Sequence, residues 1–255
     1  MLKDFAQEEF DIFIQAGQSN GEGFGVGPVE DAYWQDERVW YLTKDFVCTI
    51  AGESILANEV QGNFSLSFVR KYIEQDFLKE GRKILIIRAS EGSTGFLAGH
   101  WTENGDCYTR MMEMCKTALA LNPKNRLKGL LWHQGETDAS LNASFDTHYA
   151  HISGLVHGVR QAFNEPNLPF IAGDFVHHWK NENLAMCIPV IDAIQMFCKQ
   201  DSYAAFVHTE NLKSNYQEMG RNTQCGKEII EDKIHFSRNS LYLLGERYFE
   251  AYKQL

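Results

Sequence analysis

The chain has 255 residues, 44% hydrophobic and 23% charged, with a net charge of −10. That length fits one large α/β domain with a sizeable core, and the composition excludes a disordered chain. The acidic balance, with no basic run of five residues, excludes a phosphate-binding surface of the nucleic-acid type, and no stretch approaches the roughly 18 consecutive apolar residues of a membrane span.

The first predicted element is a strand over residues 11–16, short, apolar and rich in β-branched and aromatic side chains. Residues 17–36 hold five glycines and read as loop. Residues 39–42 and 46–50 read as a hairpin around Lys44-Asp45. Residues 65–80 place Phe68, Tyr72 and Ile73 at helical spacing, with Gly81 as the expected stop. The run Ile84-Leu85-Ile86-Ile87 fits a strand buried on both faces. A helix is predicted over 107–121, a strand over 127–132, a helix over 144–164 and a strand over 168–173. A helix over 186–200 and a strand over 204–208 follow, and a last helix covers 238–254 with Ser237 as its N-cap. Strands alternating with helices of this length predict βαβ units and a parallel sheet covered on both faces. No repeat, low-complexity tract or linker interrupts the chain, so residues 1–255 are expected to form a single domain.

In open α/β sheets ligands bind outside the carboxyl ends of the strands, so the residues after each strand carry the chemistry. After the first come Gly17-Gln18-Ser19-Asn20. After the strand at 84–87 come Ala89-Ser90-Glu91-Gly92-Ser93, and after the strand at 127–132 come His133-Gln134-Gly135-Glu136. Near the end of the chain lies Asp232-Lys233-Ile234-His235. A serine hydroxyl needs a base before it attacks, and His235 is the natural one. Asp232, three residues earlier, is close enough on a tight turn to orient the imidazole. Acyl transfer also needs donors for an oxyanion; the candidates are the backbone N–H groups of Ser19 and Gly92 and the side-chain amide of Gln134. Taken singly, each has a bland rival: Ser19 as a turn residue, Gln134 as a loop tie, Glu136 as a buried ion-pair partner. Their occurrence at successive strand ends, in a fixed order, favours the chemical reading.

These four blocks together resemble the signature blocks of SGNH-type hydrolases, and most closely the sialate O-acetylesterase and acetylxylan esterase branch (carbohydrate esterase family 6 and its relatives). His-Gln-Gly-Glu is the most distinctive of them. The blocks run from residue 17 to residue 235, nearly the whole chain. The resemblance implies a three-layer α/β/α flavodoxin-like fold with a mainly parallel sheet, and metal-free removal of acetyl groups from an acetylated carbohydrate. It implies Ser19 as nucleophile, His235 as base, Asp232 as orienting carboxylate and Gln134 in the oxyanion hole, with Glu136 in a supporting role. Relatives tend to carry a Gly-Gly-Thr-like run in the second block, whereas this chain has Glu91-Gly92-Ser93, so either Glu91 or Gly92 is left as the second donor.

Gly17-Gln18-Ser19-Asn20-Gly21 also fits G-x-S-x-G, but a nucleophile elbow follows several earlier elements, and here one strand precedes the serine. The alternating glycines at 21, 23, 25 and 27 fail the dinucleotide fingerprint. No cofactor or metal is expected: there is no H-E-x-x-H and no paired-cysteine motif, and His177-His178 are adjacent residues that a strand would point in opposite directions. The six cysteines sit mostly among apolar residues, as buried free thiols do. With no apolar leader-like segment near Met1, a reduced cytoplasmic setting is expected. Trp101 and Trp179, each preceded by a histidine, are candidates for a sugar-binding face, against the default of core packing. Two other functions are weighed: a glycan-binding relative without catalysis, and a lipase or thioesterase acting on a different acyl group. No nucleic-acid or membrane partner is expected, and the sequence leaves the sugar and the oligomeric state open.

Overall fold

The computed structural model describes residues 2–28, 33–56, 59–225 and 228–255. Its central sheet has seven strands: β1 (Glu9–Gly17), β2 (Val39–Leu42), β3 (Cys48–Ile50), β4 (Arg82–Arg88), β5 (Arg126–His133), β6 (Phe170–Gly173) and β7 (Ala204–Val207). Their order is β7-β6-β5-β1-β4-β2-β3, and every neighbouring pair is parallel except the β2–β3 hairpin. β1 lies between β4 and β5. The chain first builds outward on one side of β1, returns with β4, and then builds on the other side. The crevice at the carboxyl end of β1 is therefore the topological switch point, the place where such sheets bind ligands.

Strand periodicity explains the two cores. Successive side chains point to opposite faces of a strand. Ile12, Ile14, Leu85 and Ile87 enter one core, together with side chains of helices α2 (Asp106–Leu121), α3 (Phe145–Ala162) and α4 (Leu184–Gln200). Phe13, Ile84 and Ile86 enter the other, with Phe68 and Tyr72 of helix α1 (Phe64–Glu74) and Leu244 and Tyr248 of helix α5 (Arg238–Tyr252). Three layers result, as the sequence resemblance implied. Among the described residues, no helix is long and apolar enough to cross a membrane.

The elements depart from the sequence expectations at several places, among them the end of helix α1 and the segment after residue 17. Helix α1 ends at Glu74, well before Gly81. Asp76 takes a left-handed conformation (φ 59°), Asp76 N–H donates to the Ile73 carbonyl and Phe77 N–H to the Tyr72 carbonyl, and the Phe77 and Tyr72 rings meet at 5.5 Å. This is a Schellman stop with an aspartate where glycine is usual. The segment expected as loop after residue 17 holds a helical turn at Ser19–Glu22 and a short strand at Gly25–Pro28. That strand pairs antiparallel with Glu59–Gly62, which in turn pairs with Ser54–Leu56, in a small second sheet. Residues 29–32 of the same segment lie outside the described residues.

Candidate active site

Ser19 opens the helical turn at the end of β1. Gly17, paired with His133 of β5, makes this possible: its φ is 130°, and a Cβ there would lie 2.1 Å from the His133 carbonyl oxygen. Only glycine lets the two strands end this close together. The Gln18 N–H donates to the same carbonyl, and the Gln18 side chain accepts from the Thr137 N–H, so the turn is tied to the loop after β5. The Ser19 N–H, in the first turn of a helix, has no carbonyl four residues back to serve.

His235 reaches this turn from the segment before α5. Its Nε2 lies 3.0 Å from Ser19 Oγ, and its Nδ1 lies 2.8 Å from Asp232 Oδ1. With the Nδ1–H tautomer, the serine hydroxyl donates to Nε2 and the imidazole donates to the carboxylate. Ser19 is 7% exposed, Asp232 is 1% exposed, and the His235 side chain is partly open. Asp232 Oδ2 accepts from Asn215 Nδ2 at 3.0 Å. Burial pushes the Asp232 carboxyl up, but hydrogen bonds from His235 and Asn215 and the nearby imidazole outweigh it and hold the group below its usual value. The structure brings the three residues singled out in the sequence into one hydrogen-bonded chain.

The histidine segment is clamped from beneath. Asn20 Nδ2 donates to the Ile234 carbonyl (2.9 Å) and to Glu136 Oε1 (2.7 Å), and its Oδ1 accepts from the Phe236 N–H (3.0 Å). One buried amide therefore grips the backbone on both sides of His235. Glu136 is fully buried, and its second oxygen has no partner among the described residues. Burial raises its pKa, and the Asn20 hydrogen bond offsets only part of that. Above the imidazole, the Phe24 ring stacks at 5.4 Å and 25°.

The expected oxyanion donors fare differently. Gly92 comes to the nucleophile: a Cβ on it would stand 3.8 Å from Ser19 Cβ and from Glu22 Oε2, and 4.0 Å from the Phe24 ring. These are ordinary van der Waals distances among the described residues. Its N–H donates to Glu22 Oε2 at 3.0 Å, whereas Glu91 pairs with Arg110 and Lys44. Gln134 needs correcting. Its amide donates to Asp138 Oδ2 (2.5 Å) and to the Thr94 carbonyl (3.3 Å), and the side chain is fully buried, so both Nε2 hydrogens are engaged away from Ser19. It fastens the loop after β4, whose Phe96 and Leu97 N–H groups also bind Asp138.

Trp101 also needs correcting as a sugar platform. It is 1% exposed, its indole N–H donates to Thr94 Oγ1, and it packs edge-on against Trp132 in the core. Trp179 is half-buried in the short helix His177–Glu182 and packs on Phe175. The cysteines Cys48, Cys107, Cys115, Cys187 and Cys198 are free, and burial pushes the Cys48 and Cys107 thiols up to about 11. Four participants gave no sequence signal: Glu22, Phe24, Asn215 and the clamping role of Asn20. Asn215 lies 17 residues from Asp232, on a helical turn that opens with a Ser214–Gln217 capping box, and only the fold joins the two.

The family model described as "SASA: Carbohydrate esterase, sialic acid-specific acetylesterase" matches residues 9–254. The chain belongs to this family. Carboxylic-ester hydrolysis on acetylated carbohydrates is the family's class of chemistry. A relative in Escherichia coli (strain K12), named "Probable 9-O-acetyl-N-acetylneuraminic acid deacetylase", is 26% identical over 140 residues, 46% of this chain and 42% of that protein. The match therefore spans less than half the length of that relative. Among solved structures, NanS superposes with a TM-score of 0.80 at 17% identity, covering 97% of each chain. An Arabidopsis thaliana protein gives 0.72 at 17% identity, over 96% of this chain and 98% of that one. A carbohydrate acetylesterase from Xanthomonas citri gives 0.61 at 13%, over 94% of this chain and 55% of that one. At such identities these superpositions establish the family's fold in this chain.

Proposed function

We propose that this family member removes an O-acetyl group from a sialic acid by way of an acetyl-serine intermediate. The observation that carries this is the continuous chain from Ser19 Oγ through the His235 ring to Asp232, with contacts of 3.0 and 2.8 Å, at the switch point of the sheet. Ser19 Oγ attacks the acetyl carbonyl carbon while His235 Nε2 takes its proton. The carbonyl oxygen becomes an oxyanion, which the Ser19 and Gly92 N–H groups receive. The Gly92 N–H already serves an anionic oxygen, that of Glu22, so this donor is suited to negative charge and Glu22 turns aside for the substrate. Collapse breaks the bond to the sugar oxygen, which leaves with the proton from His235. Water, deprotonated by His235, then attacks the acetyl-enzyme and releases acetate and Ser19.

The sialic acid assignment rests on the family model and on the printed name of the Escherichia coli relative. Ser19→Ala is expected to abolish release of acetate from 9-O-acetyl-N-acetylneuraminate while leaving the melting temperature within a few degrees. Acetate release at the wild-type rate by that variant excludes the mechanism.

A further inference from the structure

A cavity of about 480 Å³ opens beside the nucleophile turn. Its volume falls in the range of small-molecule sites, about 300–1,000 Å³. Glu22 and Gly23 form one wall, the β2–β3 hairpin (Tyr41, Thr43, Lys44) a second, and Arg88 and Ser90 at the end of β4 the floor. The lining is mainly hydroxyls, amides and charged groups, which suits a hydroxylated ligand better than an acyl chain. Ser90, 1% exposed, has a buried hydroxyl with no hydrogen-bond partner among the described residues.

The charges lining this cavity are Glu22, Asp45, Glu53, Lys44 and Arg88, and they are unevenly matched: Asp45 has no ion-pair partner among the described residues. Glu22 is held by Lys44 (3.0 Å) and by the Gly92 N–H. Glu53 is held by Arg238 (2.6 Å) and by the Tyr242 hydroxyl. Arg88, half-buried, pairs with no carboxylate among the described residues. It donates to the Glu22 carbonyl and lies over the Tyr41 ring, 4.8 Å from the centroid. Tyr41 in turn is fixed by Asn63, which hydrogen-bonds Gln15 in the buried floor. The guanidinium is thus held in one plane by a ring and a carbonyl. It carries five N–H donors in a fork that matches a carboxylate, more than these contacts use.

We propose that this cavity is the sugar subsite, and that Arg88 binds the carboxylate of an acidic sugar there, in the cavity that Lys44, paired with Glu22 and Glu91, also lines. The inference rests on the esterase reading above and specifies which residues make an acidic sugar the substrate. Arg88, Glu22 and Gly92 form an unbroken path from the guanidinium to the nucleophile: Arg88 donates to the Glu22 carbonyl, Glu22 accepts from Gly92, and Gly92 adjoins Ser19. A sugar acid anchored at Arg88 displaces Glu22 from the Gly92 N–H and brings its acetyl group to Ser19. A neutral acetylated sugar lacks that anchor.

The test compares 9-O-acetyl-N-acetylneuraminate with its methyl ester, in which the carboxylate charge is gone. Wild-type protein is expected to favour the acid by about 10- to 100-fold in kcat/KM, the usual value of a hydrogen bond to a charged group. Arg88→Met is expected to bring that ratio near one, and Lys44→Met to lower it several-fold. A variant that is merely misfolded loses both substrates in proportion and keeps the ratio. A wild-type ratio near one, or a ratio that survives in Arg88→Met, overturns the subsite assignment and leaves the esterase reading standing. Wild-type protein inert on both compounds and on 4-nitrophenyl acetate fails the esterase reading instead. Calorimetric titration with N-acetylneuraminate, which needs no turnover, then decides the subsite. Binding that Arg88→Met weakens at least tenfold supports it, and no binding overturns it.

Discussion

Two buried carboxylates flank the His235 segment, and they behave oppositely. Asp232 is served by the imidazole, a backbone N–H and Asn215, and its pKa is lowered. Glu136 receives one side-chain donor, Asn20, leaves its other oxygen without a partner among the described residues, and its pKa is raised. Burial is common to both. The donors differ in count and charge: on Asp232 they outweigh the effect of burial, and on Glu136 they do not. An ionised Asp232 is suited to hold a protonated imidazole. Glu136 holds Asn20, and through it the histidine backbone.

The sharpest break of this comparison is Asp232→Asn. It keeps the shape and removes the charge, and kcat is expected to fall on the order of 10³–10⁴-fold with little change in KM, measured on an aryl acetate. A loss of tenfold or less removes Asp232 from the proposed mechanism. Asn20→Ala removes the clamp and leaves the triad residues in place. Its expected cost is about 10- to 100-fold in kcat, because a displaced base acts at a poorer angle. If combining it with Glu136→Gln adds nothing further, the two act as one unit.

The smallest expected effect is on stability. The folded-state pKa of Glu136 lies above its ordinary 4.5, so the folded protein binds that proton more tightly than the unfolded chain does. Stability from this group therefore falls as pH rises from about 4.5 through the folded pKa, and returns on acidification. Asp232, lowered from 3.8, has the opposite sign: its contribution is full above 3.8 and is lost as pH falls through its folded pKa. The melting temperature of Glu136→Gln minus that of the wild type is expected to rise between pH 5 and pH 8, by roughly 2–4 °C for each kcal/mol. A flat difference contradicts the raised pKa.

The legibility of the site followed the locality of its contacts. Asp232 and His235 are three residues apart, so the sequence paired them without a fold. Ser19 was legible because it follows an apolar strand directly. Gln134 was misplaced because a block in sequence does not say which way a side chain turns: Asp138, one helical turn on, takes its amide. Trp101 was misplaced because a tryptophan after a strand end reads the same whether it faces a cleft or a core. The helix stop at Asp76 carries no sequence signal, because glycine is the usual left-handed residue and one stands five positions later.

What the sequence determined by itself is the alternation of strands and helices, the parallel sheet they imply, and the three residues brought to its carboxyl edge. Periodicity and short spacings carry that information, and both are local. The tertiary structure alone decided that Asn215 serves Asp232, that Asn20 grips the histidine from both sides, and that Glu22 meets Gly92. It also placed Arg88 in a polar cavity without a carboxylate partner among the described residues. Each of these joins residues 17 to 216 positions apart. No local pattern encodes such pairs, because the burial and donor geometry that set their energies exist only once the sheet has closed over them.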